Sequence, residues 1–306
     1  MCSSDLSAMA DVLRIATRPS PQATTQARAV ADAVSAATGM VCELVLVEST
    51  GDRRADVPLH TIGGQGVFVK EVQRAVLDGR ADVAIHSAKD LPTQTEPGLV
   101  VGAWCERRDP RDAMVGSSRA GLVSGATVAT GSVRRRAQLR AERPDLKFVE
   151  LRGNIGTRLE RIPAGGAIVM AVAALEVLGL TDRIDEKLDP SLFVPMVGQG
   201  CVAVEHRVGD GRVAELLRTV DHAPTRFAVE TERAFLSVLG TGCSMPVGAY
   251  VDSARVLTTF LADEADVGST AKSIILQADV SDDESAGMIA AELARVSQRR
   301  LSGRDR

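Results

Sequence analysis

The sequence has few aromatic residues, which make up only 3% of its 306 positions. Its hydrophobic cores must therefore be built from aliphatic side chains, and few rings are available to stack on nucleic-acid bases. An excess of positive charge is missing as well, because 36 Lys and Arg stand against 40 Asp and Glu and leave a net charge of −4. This balance argues against binding of nucleic acid or of an anionic membrane by the molecule as a whole.

Clusters of cysteine and histidine are also missing. The five cysteines and four histidines are scattered, with no C-x-x-C or H-x-x-x-H spacing, so we predict neither a disulfide framework nor a metal site. No apolar run is long enough to span a bilayer. The N-terminal segment 1–10 has neither the basic nor the apolar part of a secretory signal. We therefore expect a disordered leader and a protein of a reducing, cytoplasmic compartment.

The sequence does contain a regular alternation of apolar strands and helical segments. The first set has strands at 12–16, 41–47 and 82–86 and helices at 21–39 and 67–77. The second set has strands at 126–130, 147–151 and 167–171, with helices that begin near Ser132, Thr157 and Ala173. This alternation predicts two doubly wound α/β domains with mainly parallel sheets and helices on both faces.

The pattern changes near residue 221 to one long helix, three strands near 247–251, 256–261 and 273–280, and a final helix. We therefore predict a small α+β domain with a three-stranded sheet over residues 221–306. The first α/β domain is assigned to residues 1–105 plus 201–220, and the second to residues 106–200.

Cationic side chains recur directly after the predicted strands, namely Arg18, Lys89, Arg134, Arg135, Arg152 and Arg158. Ligands of open α/β sheets bind beyond the carboxyl ends of the strands, and a guanidinium group matches a carboxylate or phosphate. The placement therefore predicts a site for a ligand with several such groups. For 134–136 alone, a solvated helix face remains the alternative.

One carboxylate and one cysteine stand out beside these cations. Asp90 follows the third strand, where it is suited to stabilise positive charge or to accept N–H groups of a ligand; an ion-paired surface turn is the alternative. Cys243 lies in the glycine-rich loop 240–248 between a helix and a strand, with room for a large attached group. A buried structural cysteine is the alternative there.

Taken in order, several segments resemble those of porphobilinogen deaminases. They are Arg14-Ile-Ala-Thr-Arg18, Gly63-Gly64-Gln65-Gly66, His86-Ser87-Ala88-Lys89-Asp90, Gly131-Ser132-Val133-Arg134-Arg135, Leu151-Arg152-Gly153-Asn154, Val197-Gly198-Gln199-Gly200 and Gly242-Cys243. The resemblance implies a monomeric three-domain enzyme with two lobes like those of periplasmic binding proteins. It implies that four porphobilinogen molecules are condensed head to tail, with loss of ammonia, into hydroxymethylbilane.

The resemblance also implies roles for individual residues. Cys243 matches the cysteine that carries a dipyrromethane cofactor through a thioether, and Asp90 matches the catalytic aspartate. Arg134, Arg135, Ser132, Lys89 and again Asp90 match positions that bind the cofactor. Substrate-binding positions are matched by Arg18, Ser20, Gln26, Arg152, Arg158 and Gln199.

Two other functions are compatible with parts of the sequence. A two-lobed solute-binding protein would have similar hinged α/β lobes, but it is normally exported and has no use for a cysteine in an added domain. A nucleic-acid-binding module could use 134–136, but the net acidity and the scarcity of aromatic residues argue against it.

Overall fold

The computed structural model describes residues 12–49, 66, 68–240, 245–263 and 272–303. The predictions for the N-terminal leader, for positions 63–65 of the glycine-rich loop and for Cys243 lie outside these residues. In chain order the elements are β1 (Val12–Thr17), α1 (Pro21–Thr38), β2 (Val41–Leu46), α2 (Lys70–Leu77), β3 (Val83–Ser87), β4 (Leu99–Trp104), β5 (Asp112–Val115), β6 (Thr127–Ala129), α3 (Val133–Glu142), β7 (Lys147–Val149), α4 (Ile155–Leu159), β8 (Ala167–Ala171), α5 (Val172–Val177), β9 (Glu186–Lys187), β10 (Val202–Arg207), α6 (Gly211–Leu217), α7 (Ala223–Leu239), β11 (Val247–Val251), β12 (Val256–Ala262), β13 (Ser273–Asp279) and α8 (Ala286–Leu301).

Two five-stranded sheets form the two lobes. The first lobe contains the sheet ordered β2-β1-β3-β10-β4, and the second lobe contains the sheet ordered β7-β6-β8-β5-β9. In each sheet the strands of the predicted alternation pair in parallel, while β10 pairs with β3 and β4, and β5 with β8 and β9, in antiparallel fashion. The predicted fold class is confirmed, with antiparallel strands added where the chain passes between the lobes.

Local sequence signals explain how the first lobe begins. The hydroxyl of Ser20 caps α1 by accepting a hydrogen bond from the amide of Ala23, Pro21 opens the helix, and Gly39 ends it with a φ of 72°. Proline at the first helical position and glycine at a left-handed C-terminus are favourable because the first lacks an unneeded N–H and the second has no Cβ. The buried face of α1 then packs Val30 and Val34 on the sheet.

The predicted C-terminal sheet is also present. Strands β11, β12 and β13 form an antiparallel meander. Helices α7 and α8 pack an apolar face that includes Phe235, Leu239 and Ala290 against this sheet, which contributes Leu261. Helix α7 also reaches the first lobe, where the Arg233 guanidinium donates to the carbonyl of Pro92 at 2.5 Å. Within the part of the chain that the structure describes, no helix is both long and apolar enough to cross a membrane.

Candidate active site

A cavity of about 550 Å³ lies between the two lobes. Its walls come from the segments that follow β1, β3 and β7, from α5 and from Phe68 and Arg135, so the carboxyl ends of strands from both lobes meet there. The predicted site residues in its lining are Arg18, Ser20, Gln26, Lys89, Asp90, Arg135, Arg152 and Arg158. Ser132, Arg134 and Gln199 are not part of that lining.

Asp90 is positioned by the end of β3. A single 3-10 turn, Ala88–Asp90, follows the strand directly, and the amide of Ala88 donates to the carbonyl of Cys201 at 2.9 Å. Gly198 packs so tightly on this turn that a Cβ there would lie 3.0 Å from that of Ala88. Among the described residues, none donates a hydrogen bond to the Asp90 carboxylate, so its oxygens can accept N–H groups from a ligand.

Lys89 lies beside Asp90 and faces other cations. Burial and the charge of Arg135, supported by that of Arg158, lower its pKa to about 8, and the nearby Asp90 and Asp112 only partly oppose this. An ammonium group in such surroundings is stabilised by an anionic ligand, because the ligand's charge offsets the repulsion from the arginines.

Two arginines follow β7, Arg152 in the loop and Arg158 in the short helix α4. The amide oxygen of Asn154 caps α4, and the Arg158 Nε donates to the Gly153 carbonyl at 2.8 Å, which fixes the guanidinium against the loop. Burial and the neighbouring cations Arg135 and Arg152 lower the pKa of Arg158 to about 10. Nη1 of Arg152 is buried and has no hydrogen-bond partner within the described residues. A buried donor of this kind can be satisfied by an acceptor of a bound ligand.

The first-lobe wall carries one more cation and two polar groups. The Arg18 guanidinium lies 4.2 Å from the ring centre of Phe68, which is a cation–π distance. Ser87 donates to the side-chain oxygen of Gln26 at 3.1 Å, so the Gln26 amide is oriented towards the end of β3. The Ser20 hydroxyl combines its place in the wall with its capping role in α1.

A supporting layer lies behind the second-lobe wall. Arg135 donates from Nε and Nη2 to Oδ1 of Asp112 at 3.0 and 2.6 Å, and from Nη1 to the Val169 carbonyl. Arg134 is buried in this layer, where it donates to Oδ2 of Asp112 and to the Val194 carbonyl. The Ser132 hydroxyl caps α3 through the amide of Arg135.

Three residues that have a structural role in the site were not among the sequence predictions. Phe68 follows the glycine-rich loop, and its contact with Arg18 is a tertiary contact that the sequence alone does not indicate. Asn154 carried a readable signal, since asparagine before a helix is a favoured cap. Asp112 is the first residue of an unpredicted strand, and nothing in its local sequence marks it as a partner of two arginines.

The cavity is suited to a polyanionic ligand with N–H donors. Among the described residues of its lining, five cationic side chains surround a single carboxylate. Nη1 of Arg152, which has no partner among these residues, fits an incoming carboxylate oxygen. A dipyrromethane, with acidic side chains and pyrrole N–H groups, matches this donor and acceptor set. In the described parts of the chain, no group of three His, Cys, Asp or Glu side chains could hold a metal ion.

Two family models match most of the chain. Residues 13–215 match "Porphobilinogen deaminase, dipyromethane cofactor binding domain", and residues 226–294 match "Porphobilinogen deaminase, C-terminal domain". Among solved structures, immunogenic lipoprotein A from Vibrio vulnificus is similar at 12% identity and a TM-score of 0.43, over 70% of this chain and 96% of that one. The methionine binding protein MetQ is similar at 13% identity and a TM-score of 0.43, over 71% and 90% of the two chains.

Proposed function

The chain belongs to the porphobilinogen deaminase family, and we propose that the inter-lobe cavity is where its substrate units are joined, with Asp90 as the catalytic residue. Members of this family have hydroxymethylbilane synthase activity, and the chain therefore makes hydroxymethylbilane from porphobilinogen in tetrapyrrole biosynthesis, using a dipyrromethane cofactor. The main support for the location is the meeting of Asp90 with five cationic side chains in one cavity.

Asp90 acts on charge that develops during the reaction. The porphobilinogen aminomethyl group reacts in its protonated form, and when its C–N bond breaks the electron pair leaves with nitrogen as neutral ammonia, so the substrate becomes an electron-poor azafulvenium. The positive charge thereby moves from the ammonium group onto the pyrrole ring, and a fixed carboxylate that stabilises the charge more strongly on the ring lowers the barrier. The same oxygens can accept pyrrole N–H bonds and hold the reacting carbons in register.

The cations bind the acidic side chains of substrate and cofactor. Arg18, Arg152 and Arg158 are assigned to substrate carboxylates, with Ser20 and Gln26 as polar neighbours, while Lys89 and Arg135 are assigned to the cofactor. When bound, the dipyrromethane supplies the pyrrole carbon to which the first unit is joined. Its attachment point is proposed to be Cys243, three positions beyond the residue Gly240 that ends α7.

Three predicted contacts have less support from the geometry. Arg134, Ser132 and Gln199 are placed in the layer behind the cavity, so direct contact with a ligand would need a rearrangement. We further propose that the three predicted domains move relative to one another during elongation, and that the enzyme is a cytoplasmic monomer without a nucleic-acid partner.

The test compares Asp90→Asn with the surface control Asp78→Asn, whose carboxylate pairs only with exposed arginines. Asn keeps the shape of Asp90 but removes its charge, so the rate of hydroxymethylbilane formation should fall by roughly a hundredfold or more, while the control keeps its rate. Asp90→Glu should retain the cofactor and turn over slowly. A near-normal kcat in Asp90→Asn would remove Asp90 from the mechanism.

Cofactor attachment is tested by intact-protein mass. The wild type should be heavier than its sequence by two linked pyrrole units and should turn red with acidic Ehrlich reagent. Cys243→Ser should show the plain sequence mass and no colour, with Cys42→Ser as the control that stays modified. Retention of the added mass in Cys243→Ser would place the attachment elsewhere.

A further inference from the structure

Asp112 is the only carboxylate in contact with Arg134 and Arg135 among the described residues, and it is fully buried. Its Oδ2 accepts from Arg134 Nη2 at 2.7 Å, and its Oδ1 accepts from Arg135 Nε and Nη2 at 3.0 and 2.6 Å. Burial alone would raise the pKa of Asp112, but the two guanidinium groups hold it at about 2. Asp112 is therefore ionised wherever the enzyme works, and its charge stays behind the cavity wall.

Gln199 adds a third donor to the same carboxylate. Its Nε2 lies 3.0 Å from Asp112 Oδ1 and 2.7 Å from the Pro110 carbonyl, and the residue is 1% exposed. Because its side-chain nitrogen is already used by these two acceptors and it is absent from the cavity lining, Gln199 is poorly placed to bind a substrate directly.

The contact between Gln199 and Pro110 also joins the two chain segments that connect the lobes. Gln199 lies on the segment that returns from the second lobe to β10 of the first, while Pro110 lies on the outgoing segment before β5. The two segments are joined again by Arg107, whose Nε donates to the Gln199 carbonyl at 2.8 Å. Both connections between the lobes therefore touch the residues that hold Arg135.

We propose that Asp112 and Gln199 are positioning residues: Asp112 fixes the Arg135 guanidinium at the cavity wall, and Gln199 ties Asp112 to the two connections between the lobes. This rests on the proposed function, in which Arg135 binds carboxylates of the cofactor; because porphobilinogen is joined to the cofactor, a displaced cofactor also weakens the binding of porphobilinogen. A change in the angle between the lobes would then be transmitted to Arg135 without contact between the connections and the ligand.

The central variant is Gln199→Met, and Gln138→Met is its matched control. Gln138 is also buried, and its side chain likewise donates from Nε2, here to the Val194 carbonyl; it accepts from the Val194 amide as well, but it does not touch Asp112. Both variants should lower the melting temperature by similar amounts. Only Gln199→Met should raise the KM for porphobilinogen, by about tenfold, with kcat changed by less than roughly twofold. Equal KM values in the two variants would overturn the proposal.

A double-mutant cycle with Arg135→Lys separates positioning from general damage. If Gln199 acts through Arg135, adding Gln199→Met to Arg135→Lys should raise KM no further, whereas independent effects would multiply. The fraction of molecules carrying the cofactor, from intact mass, should follow the same pattern. Multiplying effects contradict the proposal. A wild-type KM and full cofactor content in Arg135→Lys would instead contradict the proposed function of Arg135.

Asp112→Asn gives a readout through Lys89. Lys89 faces Asp90 on its own turn, Asp112 from β5, Arg135 from α3 and Arg158 from α4. Without the negative charge of Asp112 the pKa of Lys89 should fall, so kcat/KM should begin its alkaline decline at a lower pH. An alkaline decline at the same pH as in the wild type would contradict the role assigned to Asp112. If Asp112→Asn does not fold, the double variant Asp112→Asn, Arg134→Met is measured instead, because it also removes one of the buried guanidinium groups. The same shift of the alkaline decline to lower pH is expected.

Discussion

Glu232 is the residue whose replacement should reveal most clearly how the third domain is attached to the rest of the molecule. It lies in α7 with no exposed surface, and each of its carboxylate oxygens accepts two hydrogen bonds. Oε1 accepts from Arg107 Nη1 at 2.5 Å and from the Val251 amide at 3.0 Å. Oε2 accepts from Arg107 Nη2 at 3.2 Å and from the Gly198 amide at 2.8 Å.

The change Glu232→Gln keeps the shape but replaces one oxygen by an NH2 group. Whichever oxygen is lost, the new donor faces an arginine N–H and a backbone N–H, and the buried Arg107 charge loses its counterion. Removing one partner of a buried ion pair costs about 3–5 kcal/mol. At about 2 °C per kcal/mol for a chain of this size, the melting temperature should fall by roughly 6–10 °C.

Thermal unfolding followed by circular dichroism measures this fall, and Glu142→Gln is the control. Glu142 also pairs with an arginine, Arg119 at 2.8 Å, but its side chain is 52% exposed, so the cost there should be about 0–1 kcal/mol. If Glu232→Gln melted within about 1 °C of Glu142→Gln, the pair would not hold the domains together and the reasoning from burial would fail.

Three further changes test other parts of the site. Because the pKa of Lys89 lies at about 8, its charge is present below about pH 7 and lost above about pH 9. Lys89 is assigned to the cofactor to which porphobilinogen is joined, so loss of this charge should loosen the cofactor and raise the KM for porphobilinogen through that window in the wild type and not in Lys89→Met; an identical profile in both would refute the assignment. Gly200 has a φ of 88° and its Cβ would lie 2.7 Å from the Arg108 carbonyl oxygen, so Gly200→Ala should lower both the melting temperature and kcat, whereas Gly209→Ala, with the same sign of φ and open space, should lower the melting temperature alone. Asn154→Ala removes the cap of α4 and should cost about 1 kcal/mol of stability and raise KM through Arg158; Asn154→Ser should restore both, and a silent alanine variant would show that the cap does not hold Arg158.

In the two lobes, each strand that the alternation predicted is next to a helix in the chain. Strands β1, β6 and β8 were found because each precedes a helical segment with recognisable ends, and β3 because it follows one. Strand β4 follows β3 with no helix between them, and β5 has only four residues, so neither fits the alternation on which the prediction depended. Their antiparallel pairing is set by the chain crossing between lobes, which is a tertiary constraint without a local signal.

The site was predicted to the extent that its residues follow strands. Arg18, Asp90 and Arg152 meet in one cavity because the carboxyl ends of strands in two facing sheets converge. Arg134 and Arg135 are neighbours in the chain, yet only Arg135 lines the cavity. The two side chains differ in position because each guanidinium binds a different oxygen of Asp112. Asp112 itself lies on β5, a strand that the sequence pattern did not predict. Whether a polar side chain is buried therefore depends on tertiary contacts of this kind rather than on the residue type alone.

The charge of the cavity bears on how far the chain can grow there. Among the described residues its lining holds five cationic side chains and one carboxylate, while Asp112 offsets Arg134 behind the wall, which leaves a surplus of four positive charges from those residues. A dipyrromethane carries two acidic side chains on each ring, and each added porphobilinogen brings two more negative charges. The negative charges therefore come to outnumber these cations as the chain grows, and self-repulsion among them increases in a medium that screens poorly. Elongation therefore requires either that earlier rings move out towards solvent or that the lobes shift and bring further cations to the new ring, and the contacts of Gln199 with both connections give the second route a physical basis.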